Sequence, residues 1–444
     1  MPQFVKHTGI TITTTILGRI FGLLAAILAA RFLGPKGNGY YTLAILLAST
    51  SIALTNFGVT TTTIYHIAKE RHLRSEVMGH LFVLNSAVAV VATAAGLIIA
   101  LYFHNLLFPH TPREYLILGS LIIPGIFTYR FFQNVLLGLQ DFEKYNLGQI
   151  IFSAIHLLLI GIGVVIPKQK IVGAIVAEAT SWALGAVMFI YWSKSAIPRW
   201  SFHLNRSLAK RLFTYGLQSY LGNLLAFFNS RSDVFLLNFF QGAGAVGIYS
   251  VAVGLAERLW IISQTASTVL FPRVSSSTDP KWQKRFTPLI TRTVLVLVLP
   301  IALVIGVFAK PLIIVLYSTK FVSAVLPLQI LLFGIVSFSL SRVLAHDIAG
   351  RGYPLLNSYT SAISLVVNIS LNLLLIPRWG MAGAAFAAAA SYTSLLISKL
   401  VIYQRLSGNS WKEVLLSKKE DWALYAKTLK AIWAKTRRIG KPIP

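Results

Sequence analysis

An all-α, polytopic membrane fold is what this sequence predicts, and three observations carry the prediction. Of 444 residues, 55% are hydrophobic and only 12% are charged, against about 25% charged in ordinary soluble chains. The apolar residues fall in runs of the roughly 20 residues a helix needs to cross about 30 Å of hydrocarbon. The two halves of the chain repeat one another at an offset of about 210 residues, as duplicated transporter halves do.

Run length places about twelve spanning helices. The first half gives 9–32, 40–66, 79–103, 115–138, 146–166 and 171–193; the second gives 212–240, 245–271, 289–317, 323–346, 356–377 and 381–404. The opening stretch Ile10–Ala68 sets the pattern, with two apolar runs parted by Leu33-Gly34-Pro35-Lys36-Gly37-Asn38-Gly39. The eight residues Met1–Thr8 before it are too short, and the apolar run after them too long, for a cleaved signal peptide, so the first helix is expected to be retained.

Lysine and arginine orient the helices. Lys69, Arg71, Arg74, Lys144, the cluster Lys194–Arg211, Arg273–Arg285, Arg351 and the basic tail fall in alternate connections. The positive-inside rule puts these connections and both termini in the cytoplasm, in an inner or plasma membrane. The repeat is explicit. Gly34-x4-Gly39-x-Tyr41-x2-Ala44 recurs as Gly242-x4-Gly247-x-Tyr249-x2-Ala252, and Ile166-Pro167 with Gly173-Ala174 recurs as Ile376-Pro377 with Gly383-Ala384. An offset of six helices preserves orientation, so the repeat is parallel and the pseudo-two-fold lies along the membrane normal. The expected domains are a six-helix lobe at 1–193, a cytoplasmic linker at 194–211, a second six-helix lobe at 212–405 and a basic amphipathic tail at 406–444. In that tail Trp411, Leu415, Trp422, Tyr425, Leu429 and Trp433 recur at helical spacing among lysines. Such a face suits either an anionic leaflet or the protein's own cytoplasmic surface.

The formal net charge is +27 and there is no cysteine. Disulfides and thiolate chemistry are excluded, and without a soluble basic domain nucleic acid is not an expected partner. The nine histidines show no HExxH pair, no Walker loop is present, and no outward loop is large enough for a glycosyl-transfer site. No enzyme activity, cofactor or metal is expected.

The informative residues are those a hydrocarbon layer penalises. Each charge at the centre of a spanning helix costs roughly 2.5–3.5 kcal/mol on insertion scales and so requires a partner, a wet cavity or a ligand. They are Arg19, Arg130, Glu178, Arg231, Asp233, Glu257 and Arg258, with Arg342 and Asp347 near the end of the tenth helix. Arginine's planar fork matches phosphate oxygens and keeps its charge. Arg19 from one lobe with Arg231 and Arg258 from the other, and Arg130 toward the cytoplasm, are therefore candidate ligands for a diphosphate. Asp233, Glu257 and Glu178 are either coupling sites for a proton or cation, or counter-ions to the arginines. Arg342 reads as a side chain snorkelling from a helix end.

Arg19, Ala30-Arg31-Phe32-Leu33-Gly34-Pro35, Gly39-Tyr40-Tyr41 and Asn56-Phe57-Gly58 resemble the lipid-linked oligosaccharide flippases of the polysaccharide-biosynthesis family. So do Ser232-Asp233, Gly247-Ile248-Tyr249-Ser250-Val251-Ala252, Leu270-Phe271-Pro272, Ala309-Lys310-Pro311-Leu312 and Gly350-Arg351-Gly352. The family is part of the multidrug/oligosaccharidyl-lipid/polysaccharide exporter superfamily. The resemblance implies a two-lobed bundle around a basic cavity that moves a polyprenyl-diphosphate-linked saccharide from inner to outer leaflet by alternating access. It implies membrane lipids, and glycosyltransferases or a polymerase of the same pathway, as partners. Many members carry two further helices where this chain has a charged tail, which weakens any inference about a groove for the lipid tail. A drug/cation antiporter of the same superfamily and a non-transporting scaffold are the competing readings. The first favours a carboxylate where helix one has Arg19; the second leaves the buried arginines without a purpose.

Overall fold

The computed structural model describes residues 2–69, 74–166, 170–194, 205–276, 279–423 and 425–427. Among them there is no strand. The helices are α1 (Pro2–Thr55), α2 (Val59–Lys69), α3 (Arg74–Ile98), α4 (His104–Leu107), α5 (Arg113–Ser120), α6 (Ile123–Gly138), α7 (Phe142–Val165) and α8 (Lys170–Lys194). They continue with α9 (Arg206–Glu257), α10 (Trp260–Ser276), α11 (Pro280–Val307), α12 (Ala309–Tyr317), α13 (Val325–Gly350), α14 (Pro354–Ser407) and α15 (Trp411–Leu415). A π-helical turn, Ile99–Phe103, joins α3 to α4, and a 3-10 turn, Thr319–Ala324, precedes α13. Among the described residues nine helical stretches are long and apolar enough to cross a membrane.

Three of the helices, of 54, 52 and 54 residues, would each reach on the order of 80 Å if straight. Each instead turns at one glycine. Gly34 has φ 68, ψ 178; Gly242 has φ 76, ψ −178; Gly380 has φ 55, ψ −130. Side-chain-bearing residues pay heavily for those conformations and glycine does not. The loop expected over residues 33–39 is thus a single-residue bend, with Pro35 at the start of the next helical arm, where its missing N–H costs nothing.

Other boundaries differ from the expected spans. The 40–66 span breaks at Asn56–Gly58, where Phe57 and Gly58 have φ 42 and 75. The 115–138 span is α5 and α6, parted at Leu121–Ile122. The expected 289–317 helix ends at Val307, and α12 is a separate nine-residue segment. Hydropathy does not register such breaks because the residues on both sides are equally apolar. The expected linker falls largely on residues 195–204, which lie outside those described.

By its contacts the chain divides into two compact units. One comprises Met1–Val253, Lys310–Pro327 and Ile369–Ala385; the other comprises Gly254–Ala309, Leu328–Asn368 and Phe386–Pro444. In the first, α1 runs along α7. Thr14 donates to Asn146 Oδ1 at 3.2 Å, and Ala25 and Ala29 pack with Ile160, Val164, Ala174 and Ala177. The two glycine-bent arms also meet in this unit, and they do so reciprocally. A Cβ on Gly39 would lie 1.7 Å from the Ala243 carbonyl oxygen, and one on Gly247 would lie 1.8 Å from the Pro35 carbonyl oxygen. Asn38 closes the contact, its Nδ2 donating to Gly247 O at 2.8 Å and to Ser250 Oγ at 3.0 Å. A second close approach pairs Gly58 with Gly216, where Tyr220 donates to the Leu54 carbonyl and Tyr65 stacks on Tyr215 at 4.4 Å.

The burial pattern is inverted relative to a soluble protein. Val90, Leu158 and Val307 are 69%, 63% and 75% exposed, while Asn238, Asn368 and Asp347 are fully buried. Lipid in place of water outside gives that result.

In the second unit the chain turns back after α14 at Gly408, which caps the helix in the left-handed conformation. Ser410 and Glu413 form a reciprocal capping box that starts α15. The tail is held by Arg292 of α11, whose Nε and Nη2 donate to Asp421 at 2.6 and 3.0 Å and whose Nη1 donates to the Glu413 carbonyl. Asn409 donates to Lys284 O, and Thr293 meets Tyr425. Burial works to raise the Asp421 carboxyl pKa; the hydrogen bonds from Arg292 and the Lys418 backbone outweigh it and hold the group below its ordinary value. The described tail is thus not one continuous amphipathic helix, since α15 ends at Leu415. Val414 and Asp421 point inward, whereas Trp411 and Trp422 are about half exposed. Leu429 and Trp433 lie outside the described residues.

Candidate functional site

The first unit contains a buried polar cluster centred on Glu178. This residue sits on α8 in the small-residue stretch Gly173–Ala179, which lets α8 approach α1 and α7 closely enough to bury it. Its Oε2 accepts from Tyr41 at 2.7 Å and lies 2.8 Å from His156 Nε2, while its Oε1 accepts from Trp182 at 2.8 Å. Phe152, stacked on His156, and Tyr129, edge-on to Trp182, wall the cluster with aromatic rings. A carboxylate with three donors is a satisfied buried acid, and a His–Glu pair is a site at which one proton can be held. Arg19 lies half-buried on α1, next in sequence to Gly18, whose Cβ position comes within 3.1 Å of Ser153 Oγ on α7.

The second motif tyrosine repeats this chemistry. Tyr249, the counterpart of Tyr41 in the repeat, donates to Asp233 Oδ2 at 2.6 Å, and Asp233 Oδ1 accepts from the Val234 backbone at 2.8 Å. Arg231 donates to its neighbour's carbonyl at Ser230, at 3.1 Å.

Arg130 has a different setting. It lies on α6 opposite the break between α1 and α2, and its side chain is exposed on one side. On the other it lines a small cavity of about 10 Å³ with Asn56, Thr60, Thr63, Asn85 and Asn134. That volume suits about one water. Asn56 Oδ1 is buried there without a hydrogen-bond partner. Among the described residues no carboxylate bonds Arg130, so the guanidinium is surrounded by amides and hydroxyls, which are neutral.

In the second unit Glu257 and Arg258 stand at the break between α9 and α10. There the backbone tightens to three-residue hydrogen bonds, Arg258 N to Leu255 O and Leu259 N to Ala256 O. Arg342 does not snorkel. Its guanidinium lies over the rings of Trp260 and Phe338, at 5.7 and 5.4 Å. Asp347 is committed elsewhere, accepting from Thr287 and Arg351 at 2.6 Å each.

Four polar residues of consequence escaped the sequence reading. Tyr41 and Tyr249 carried a signal, since both occupy the same place in the repeat. His156 and Lys399, each alone in an apolar run, carried none. Among the described residues no group of three or more His, Asp or Glu is placed to hold a metal ion.

Two relatives are a membrane protein of Methanocaldococcus jannaschii, 26% identical over 320 residues, and a probable low-salt glycan biosynthesis flippase of Haloferax volcanii, 27% identical over 221 residues. The matches cover 67% and 49% of this chain, and the chain spans 61% and 47% of the length of these relatives. The fold is similar to that of the lipid II flippase MurJ in an inward closed conformation, with a TM-score of 0.72 and 15% identity, the match covering 89% of each chain. Residues 4–278 match the family model described as polysaccharide biosynthesis protein. The glycine-bent helices, the buried polar clusters and this match over more than half of its length agree: the chain belongs to the polysaccharide biosynthesis protein family.

Proposed function

We propose that this chain is a flippase that moves a polyprenyl-diphosphate-linked oligosaccharide from the inner to the outer leaflet by alternating access. In this reading each of the three glycine-bent helices crosses twice, giving twelve crossings in two duplicated halves with both termini in the cytoplasm. Arginine is the appropriate headgroup ligand because taking a phosphate out of water costs several kcal/mol unless its oxygens are paired, and a guanidinium fork supplies two charged donors at once. The observation that carries the proposal is Arg130, a charge on a spanning helix with amide and hydroxyl neighbours and no bonded carboxylate among the described residues. It faces a break in the helix path at Asn56–Gly58, and broken helices are where transporters build their sites. Arg19 and Arg231 are further headgroup ligands in the first unit, and Arg258 is one in the second. Asp233, Glu257 and Glu178 are held as counter-ions or coupling groups. The Haloferax relative's name, a probable low-salt glycan biosynthesis flippase, supports a glycan-bearing substrate.

The test is flipping of a fluorescent polyprenyl-diphosphate oligosaccharide in proteoliposomes. Arg130→Ala and Arg19→Ala should each cut turnover at least tenfold, the 1.5–3 kcal/mol expected of a charged hydrogen bond. The lysine variants should be impaired less. Wild-type turnover in the double alanine variant refutes the headgroup role. Proton release on adding a cationic dye, with no flipping, favours the antiporter instead.

A further inference from the structure

Lys399 is the most anomalous residue in the second unit. It lies on α14 eight residues before the helix ends at Ser407, about 12 Å of helix. Its side chain is buried, at 5% exposure. Among the described residues it makes no hydrogen bond and no ion pair. A lone ammonium in that position is expensive, and proteins keep such residues for a reason.

Its neighbours are donors as well. The second arm of α14 runs beside α13 in the same direction. Tyr392 packs on Phe338 at 4.9 Å, and Thr393 donates to Ser337 at 3.2 Å. Seven residues further along each helix the same faces present Lys399 and the segment around His346. Lys399 lies within electrostatic reach of Arg342, and His346 within reach of both. Across from them on α10, Trp260 Nε1 is buried with no acceptor, as is Ser339 Oγ one turn before Arg342. The nearest carboxylate in sequence, Asp347, has its two oxygens taken by Thr287 and Arg351. The cluster therefore offers an ammonium, a guanidinium, an imidazole, an indole N–H and a hydroxyl.

We infer that Trp260, Arg342, His346 and Lys399 form a binding site for a phosphate-type oxyanion in the second unit. An oxyanion supplies acceptor oxygens and negative charge in one small group to the Lys399 ammonium, the Trp260 indole N–H and the Arg342 Nη1, the last two buried without an acceptor. Charge-assisted hydrogen bonds from Lys399 and Arg342 hold it, and the Trp260 indole takes a further oxygen. The phosphate belongs either to a soluble anion or to a lipid, as an anionic phospholipid head or a polyprenyl diphosphate.

The experiment is thermal melting of the full chain in neutral detergent, followed with Trp fluorescence. Inorganic pyrophosphate, phosphatidylglycerol, a polyprenyl diphosphate and phosphatidylcholine are titrated separately. At least one phosphate anion should raise the melting temperature saturably, as a ligand bound only to the folded state does; phosphatidylcholine should not. Whichever anion acts identifies the source. Lys399→Met should melt no lower than wild type without ligand, because it removes an unpaired buried charge, yet its affinity should fall at least tenfold. Trp260→Phe should weaken the same titration by a smaller factor. The inference is overturned if no anion shifts the melting, if the shift persists unchanged in Lys399→Met, or if Lys399→Met alone lowers the melting temperature.

Discussion

Replacing Gly39 by alanine tests the packing of the two bent arms most directly. The added Cβ would sit 1.7 Å from the Ala243 carbonyl oxygen, against about 3.3–3.6 Å for an ordinary C···O contact. The arms must therefore part by roughly 1.6 Å. Backbone is the obstacle, so no rotamer change relieves it, and overpacking of this kind costs about 1–3 kcal/mol. The same displacement stretches the 2.8 Å bond from Asn38 to Gly247 O beyond hydrogen-bonding range. Losing Asn38's two bonds adds about 0.5–1.5 kcal/mol each. Allowing for partial relaxation, Gly39→Ala should destabilise by about 2–4 kcal/mol, measured by reversible unfolding in SDS. Gly247→Ala should match it, and the double variant should cost less than the sum, because the first Cβ has already opened the gap for the second. Gly244→Ala is the control. It lies in the same arm with nothing within 4 Å of its Cβ position, and it should gain up to about 1 kcal/mol from helix propensity. A Gly39→Ala protein as stable as wild type, or strictly additive alanines, refutes the reciprocal contact.

Three other outcomes follow from the buried polar groups. Arg292→Met should release the tail, since breaking one side of a buried ion pair costs about 3–5 kcal/mol, and trypsin should then cut faster at Lys418 and Lys419; adding Asp421→Leu should restore much of the loss. Because the folded pKa of Asp421 is depressed, its contribution is complete above the ordinary carboxylate value and lost as pH falls through the lower folded one. A spin label at Ala423→Cys should accordingly stay immobile until pH drops below about 4. His156→Leu should destabilise by about 1–3 kcal/mol by leaving Glu178 short of a partner, with part recovered by Glu178→Gln, as read by the same unfolding titration.

The bends were legible as a motif but not as a structure. Gly34 and Gly242 stood out because each opens the same Gly-x4-Gly-x-Tyr pattern, and run length already required a reversal near each. That the reversal takes one residue follows from a backbone conformation, which composition does not encode. The purpose of Gly39 and Gly247 was hidden for a different reason. What excludes a side chain there is a carbonyl oxygen some 200 residues away, and no local pattern records a tertiary contact. The breaks at Phe57, at Leu121 and at Phe308 were invisible because hydropathy is continuous across them.

Charge pairing was the least legible level, and the cause is geometric. Sequence invites pairing of near neighbours, Arg231 with Asp233 or Arg258 with Glu257, although residues one or two apart on a helix point in different directions. The structure gives Glu178 to Tyr41, His156 and Trp182, gives Asp233 a tyrosine beyond the bend of its own helix, and gives Asp421 to Arg292, three of the five contacts running between helices. Asp347 takes the arginine four residues on, Arg351, just past the end of its helix and at a favourable spacing. Once these acids are assigned, the imbalance of 40 basic against 13 acidic residues acquires a location. A cation in water needs no partner, but one in a spanning helix does, and the buried acids named here are already engaged. Arg130 and Lys399 are spanning-helix cations with no bonded carboxylate among the described residues, one beside a broken helix and the other amid buried donors. An anion brought from outside the chain would compensate either charge, which is why these two positions are where a phosphate should be sought.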